Sequence, residues 1–148
     1  MTEEDSSFSQ NNANVLTRAK NYEIDFNKDD TKDVLLVEKN EAGYRLDAKI
    51  DDKTFFSKIF ECDFIAIETN TKNNQTFNLV LEYADQYQKP FRKIVIPVFY
   101  KNKVLFIEKI FIATLGVTAK TGNEEWLQKE IKLKTDLKNL NLDEIIRN

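Results

Sequence analysis

Apolar and polar residues alternate along much of this chain, which is the pattern of β-strands that bury one face. Regular alternation is found in four segments: residues 22–26, 44–50, 77–83 and 126–133. The segment 91–115 differs because it is apolar on both faces over much of its length, apart from a polar connection at residues 101–103. We expect it to form a hairpin of two long strands at the centre of a sheet that is covered on both sides.

Two further hairpins are predicted from turn residues between apolar segments. One begins at residues 34–37 and turns at Gly43, a residue type that adopts positive φ without strain. The other pairs residues 63–69 with residues 77–83 across a polar turn. Pro97 lacks a backbone N–H, so we expect it at an unpaired edge or at a β-bulge.

Helical spacing of apolar residues occurs in three places. Residues 15–22 can form one short helix. Residues 54–60 can form a helical turn before the next strand, although a continuous strand is the competing interpretation. Residues 136–146 are predicted to form one or two helical turns, with Asp136 or Asn141 as the cap.

These elements predict a domain of the α+β class that is mainly β. It consists of an antiparallel meander sheet of about seven or eight strands, as a curved sheet or a sandwich, with one or two short helices at the termini. Residues 1–14 are polar and aperiodic and are expected to be a mobile leader, and residues 15–148 are expected to form a single domain. The predicted core includes Ile96, Phe106 and Ile110.

Composition argues against common catalytic chemistry. The chain has no histidine and one cysteine, and its three glycines are too scattered to form a phosphate loop. Cys62 lies between Glu61 and Asp63, whose charges disfavour the thiolate, so we interpret it as a structural residue. The sequence therefore predicts no catalytic residue, no metal site and no cofactor.

Carboxylates are the remaining candidates for chemistry. Glu68, Glu82 and Glu108 lie within predicted strands, where an outward acid usually serves solubility. A calcium loop in residues 25–33 is a further possibility, but the EF-hand pattern requires Gly at its sixth position, and this chain has Asp30 there. An alternative is a cup-shaped sheet in which Glu68 or Glu108 lines a ligand pocket.

The charge distribution is uneven. The net charge of -3 disfavours a nucleic-acid partner, but residues 89–138 contain eleven Lys and Arg against five Asp and Glu. The chain would be electrically two-sided if this segment occupied its own region of the fold. No apolar run is long enough to span a membrane. We expect a cytoplasmic location, or a periplasmic one if an export signal has been removed.

No family motif is recognisable, so the functional expectation rests on elimination. We expect a non-enzymatic protein-binding domain, most simply a small acidic inhibitor such as a bacterial immunity protein or antitoxin that neutralises a basic toxin. The alternatives are a structural or assembly subunit of a phage or secretion apparatus, and a small-ligand carrier or enzyme. The predicted partner-binding residues lie in or near acidic turns: Glu41, Tyr44, Asp51, Asp52 and Tyr87.

Overall fold

The computed structural model describes residues 20–26, 33–69, 75–117 and 120–147, and these form two antiparallel sheets and one short helix. The first sheet contains β1 (Lys20–Ile24), β2 (Asp33–Asn40), β3 (Gly43–Ile50) and β4 (Lys53–Phe60). The second contains β5 (Phe64–Thr69), β6 (Thr76–Ala84), β7 (Pro90–Lys101), β8 (Val104–Val117) and β9 (Glu124–Asp136). Helix α1 (Leu142–Arg147) follows β9.

Strands that are adjacent in the chain are adjacent in each sheet, so the predicted antiparallel meander and the mainly β class are confirmed. The predicted number of strands is wrong, because the described residues form nine strands in two sheets. The additional strand is β4, and the chain passes to the second sheet directly after it. The predicted leader at residues 1–14 lies outside the described residues, as does most of the predicted helix at residues 15–22, although Tyr22 is in β1.

The helical turn expected at residues 54–60 is wrong. The competing interpretation as a continuous strand is correct for β4, but residues 61–63 separate β4 from β5, which lies in the other sheet. The pairing of β3 with β4 shifts in register after Ala48, which faces Phe56, so that Phe55 occupies a β-bulge. A bulge allows two consecutive side chains to approach the same side of a strand. Phe55 thus contacts Phe26 edge to face, with ring centroids 5.5 Å apart, while Phe56 is buried. Neighbouring apolar residues of this kind resemble one face of a helix.

The β2–β3 hairpin confirms the turn predicted at Gly43. The Asn40 side chain accepts hydrogen bonds from the backbone N–H groups of Ala42 and Gly43, both at 2.9 Å. Gly43 has φ of 150°, and a Cβ atom there would lie 2.2 Å from the carbonyl oxygen of Phe60. Only glycine permits this close approach of the start of β3 to the end of β4.

The predicted long hairpin is also confirmed, since β7 pairs antiparallel with β8 and β7 is the middle strand of the second sheet. The pairing becomes irregular between Val95 and Phe99, which places Pro97 at the predicted bulge. The expectation that both sides of this hairpin are covered is wrong within the described residues. Phe111 remains 37% exposed on the side that faces away from the first sheet.

The core lies between the two sheets and is filled by side chains from both. Its largest fully buried members include Phe26, Phe60, Phe77, Leu46, Leu79, Ile94, Ile96, Ile107 and Ile110. The core assignments of Ile96 and Ile110 are confirmed, whereas that of Phe106 is wrong. Phe106 is only half-buried and stacks on Phe99 on the outer side, with ring centroids 5.6 Å apart.

The C-terminal segment returns over the core after β9. Leu137 and Leu140 are buried, and the Lys58 ammonium donates to the carbonyl oxygens of Lys138 and Leu140 at 2.7 Å each. Asn141 accepts from the backbone N–H of residue 144 at 3.3 Å, which confirms one of the two predicted caps. These contacts fix the C-terminal segment to the first sheet.

Candidate protein-binding surface

The predicted acidic residues lie in two turns whose geometry explains the residue types. Glu41 is exposed in the β2–β3 turn, and Asp51 and Asp52 are exposed in the β3–β4 turn. Asp51 and Asp52 have φ values of 51° and 63°, in the left-handed region that Asp tolerates better than most residues. A two-residue hairpin loop of type I′ requires this conformation at both positions. Turn formation alone therefore accounts for the two aspartates.

The two predicted tyrosines differ in accessibility. Tyr44 is 8% exposed, its hydroxyl donates to the Asp63 carbonyl oxygen at 3.3 Å, and burial is the main cause that raises its pKa. It offers almost no surface to a partner. Tyr87 is 80% exposed in the β6–β7 turn, where the Asp85 carboxylate accepts from the backbone N–H groups of Tyr87 and Lys89.

The structure does not bring the predicted residues together. Glu41 and Asp51 lie at opposite ends of β3, and eight residues of antiparallel strand span roughly 27 Å. Tyr87 lies in the second sheet, outside both acidic turns. One compact contact surface made of all five residues is therefore not present.

Cys62 is in surroundings that keep its thiol protonated. Its Sγ donates to the carbonyl oxygen of Phe60 at 3.7 Å. Burial raises the pKa of the thiol to about 12, with a further contribution from the charge of Asp63 and an opposing one from Lys39. A thiolate nucleophile needs the reverse environment, so the geometry agrees with a structural role for this side chain.

The strand carboxylates do not line an interior cup. Glu68 and Glu108 are exposed, and Glu68 accepts from the Asn78 amide at 3.5 Å. Glu82 is half-buried opposite Lys93. Within the described ranges, no three or more Cys, Asp or Glu side chains are grouped so that they could hold a metal ion.

The feature that sequence reasoning missed is the outer side of β7, β8 and β9. Because Ile94 and Ile110 are buried in the core, the residues that alternate with them point away from it. Cross-strand register then places one set of side chains on a common surface, which we call the β7–β9 face: Lys93, Val95, Lys109, Phe111, Ala113, Leu115, Trp126, Gln128, Glu130 and Lys132.

This face combines apolar groups with a shallow groove. Val95, Phe111 and Glu130 form one cross-strand row, and Lys93, Ala113 and Gln128 form the next. A groove of about 440 Å³ runs along these two rows. Trp126 lies opposite Leu115 further along the hairpin and is 44% exposed. Aromatic side chains such as Phe111 and Trp126 are enriched at protein interfaces relative to the rest of the surface.

The β7–β9 face is also basic. Lys109 and Lys132 face each other across β8 and β9, and Lys93 lies in the groove, whereas Glu130 is the acid among the ten residues of the face. The Lys109 ammonium lies 5.6 Å from the ring centroid of Phe111. The described strands of the basic segment, β7, β8 and β9, are neighbours in the second sheet, so their lysines share one region of the fold.

Comparisons with known proteins do not identify relatives of this chain. No protein-family model matches the sequence, and neither the curated proteins nor the solved structures give a significant match. In the part of the chain that the structure describes, no helix has the length and apolar character needed to cross a membrane.

Proposed function

We propose that this protein is a non-enzymatic protein-binding domain and that its partner binds the β7–β9 face. The observation that carries the proposal is the exposure of Phe111 and Trp126 on one face of the second sheet, which also carries Lys93, Lys109 and Lys132. Large aromatic side chains bury much area at a small entropic cost and dominate the energetics of many interfaces. The protonated thiol of Cys62 and the outward positions of Glu68 and Glu108 support the non-enzymatic part of the proposal.

The charge of the face indicates the kind of partner. The ten residues of the face include three lysines and one glutamate, and Glu124, which precedes Trp126 on the same side, is paired with Lys89. This charge favours a partner with an acidic contact surface. An immunity protein or antitoxin that neutralises a cognate toxin is the narrower form of this proposal. It differs from the sequence expectation in its contact surface, which is the basic face rather than the acidic turns.

The size of the Trp126 contribution can be worked out from its exposure. A tryptophan side chain presents roughly 250 Å², so the 44% that is exposed corresponds to about 110 Å². Burial of this area at about 25 cal/mol per Å² contributes about 2.7 kcal/mol. Trp126→Ala should therefore weaken binding by roughly a hundredfold when the indole is central to the interface.

The test is co-purification of the chain with proteins encoded by its genomic neighbours, followed by affinity measurement. Trp126→Ala and Phe111→Ser should each reduce affinity, whereas Asp52→Lys, in a turn remote from the face, should leave it unchanged. Equal melting temperatures and circular dichroism spectra establish that the variants are folded. Binding that is insensitive to both aromatic substitutions but lost in Asp52→Lys would contradict the assignment of the face.

An assembly subunit is the second candidate function, and one specific observation favours it. Strand β9 forms an edge of the second sheet, and its side chains are exposed over most of its length. Long unprotected edges are sites where further strands add. Light scattering separates the two candidates, because an assembly subunit forms an oligomer larger than a dimer at micromolar concentration, whereas an inhibitor stays a monomer or a dimer.

A further inference from the structure

The free edge of strand β9 is a second feature that can bind a chain. In the described part of the protein, β9 is 13 residues long and pairs with β8 alone. Every side chain from Glu124 to Glu130 is exposed, and the strand contains neither proline nor glycine. Its outer edge therefore presents backbone N–H and C=O groups with which another strand can pair.

The order of charges along β9 is complementary to itself in the antiparallel direction. Glu124 and Glu125 lie at the start of the strand, whereas Lys132 and Lys134 lie in its second half. When two copies pair antiparallel, the start of each strand lies against the second half of the other. Acidic residues of one copy then face lysines of the other, which favours a second copy of this chain as the occupant.

Two-fold symmetry limits the possible registers of the strand pair, because the axis must pass between one residue and the same residue of the other copy. We call this residue the centre of the register. Centres at Lys129 or Lys132 place lysine against lysine, and a centre at Glu130 places glutamate against glutamate. A centre at Leu127 places Glu124 opposite Glu130. Like charges directly opposite each other destabilise strand pairing. These four registers are therefore unfavourable.

Two registers that pair most of the strand avoid like charges, with centres at Gln128 and at Ile131. The exposure of the side chains favours the register centred on Gln128. Residues 124–130 around that centre are exposed, whereas Ile131 and Leu133 are half-buried against the core. In the register centred on Gln128, Glu124 faces Lys132 on both sides of the axis. Glu124 also forms an exposed ion pair with Lys89 at 2.9 Å, and a carboxylate can accept from a second ammonium.

We propose that the β9 edge binds β9 of a second copy of this chain, antiparallel and centred on Gln128. The two five-stranded sheets then form one continuous sheet across the dimer. Lys93, Val95 and Phe111 of the β7–β9 face lie on the surface of this sheet and stay available in both copies, whereas Trp126 and Lys132 lie beside β9 of the other copy. The proposal does not rest on the proposed function, which Phe111→Ser tests without a change in β9.

The first test is sedimentation of the full chain over a range of concentrations. Glu124→Lys and Lys132→Glu should each weaken dimerisation by roughly tenfold, since each creates two like-charge pairs across the axis. The double variant restores opposite charges and should restore the original dissociation constant. Glu125→Lys is the matched control, because residue 125 faces Ile131 in this register and should leave the dimer unchanged.

The second test reports the register. In a Cys62→Ala background, Gln128→Cys should form an intermolecular disulfide on mild oxidation, because residues directly opposite in a strand pair have the spacing that a disulfide requires. Glu130→Cys should not, since residue 130 faces Trp126 of the other copy. A chain that sediments as a monomer at 200 µM overturns the proposal. Crosslinking through residue 130 in place of residue 128 would also overturn the proposal. A double variant that dimerises no more tightly than the single variants would do the same.

Discussion

The pH dependence of stability tests the environment assigned to Cys62. In the unfolded chain its thiol has an ordinary pKa near 9.0, whereas burial raises the pKa to about 12 in the folded protein. Between these values the unfolded state has lost the proton and the folded state has retained it. The folded state therefore binds more protons in this window, and the free energy of unfolding falls as pH rises. Below about pH 9 both states are protonated and the full contribution is present.

The magnitude follows from the proton difference. One proton corresponds to about 1.4 kcal/mol per pH unit, so the shift from 9.0 to about 12 gives a loss of up to about 4 kcal/mol across the window. Cys62→Ala removes this dependence. The difference in unfolding free energy between the parent chain and Cys62→Ala should be constant up to pH 8.5 and should then move in favour of the variant.

Urea unfolding at intervals between pH 7.5 and pH 11 measures this difference. Alkylation by iodoacetamide gives an independent readout, because a buried protonated thiol reacts far more slowly in the folded protein than in urea. Parallel stability curves for the two chains would refute the reasoning. Rapid alkylation of the folded protein at pH 7.5 would do the same and would reopen a chemical role for Cys62.

Three further predictions concern stability. Tyr83→Phe should reduce the loss of stability above about pH 10 in the same urea experiments, because burial is the main cause that raises the pKa of this phenol to about 12. Gly43→Ala should destabilise the fold by at least about 2 kcal/mol in thermal or urea unfolding, since its Cβ meets the Phe60 carbonyl oxygen and its φ is positive; an unchanged stability would contradict that geometry. Ile110→Ala should cost about 2–5 kcal/mol and Phe106→Ala less than about 2 kcal/mol, because the first side chain is fully buried and the second is half-buried; the reverse order would restore Phe106 to the core.

Local patterns in the sequence were sufficient to predict most strands. Period-two alternation identified the strands that became β3, β6 and β9, and Gly43 and Pro97 marked a turn and a bulge for reasons of backbone geometry. Strand β4 was missed because the bulge at Phe55 places consecutive apolar residues toward the core. Such a pattern is locally indistinguishable from a helical turn.

The candidate surface was harder to predict because it depends on tertiary structure. Apolar residues on both faces of β7 and β8 indicated cover on both sides, but the first sheet covers only the core side. Phe111 therefore became part of an exposed surface. The acidic turns looked like one site in sequence, yet Glu41 and Asp51 are separated by the whole length of β3. Alternation tells which residues share a face, and it does not tell what that face contacts.

Site-specific photocrosslinking in cells tests the central claim most directly. A benzophenone amino acid at position 111 reports contacts of the β7–β9 face, and the same group at position 52 reports contacts of the β3–β4 turn. We predict a covalent adduct with a second protein from position 111, competed by the unlabelled chain but not by its Trp126→Ala variant, and no adduct from position 52. An adduct from position 52 with none from position 111 would contradict the claim that the β7–β9 face binds the partner.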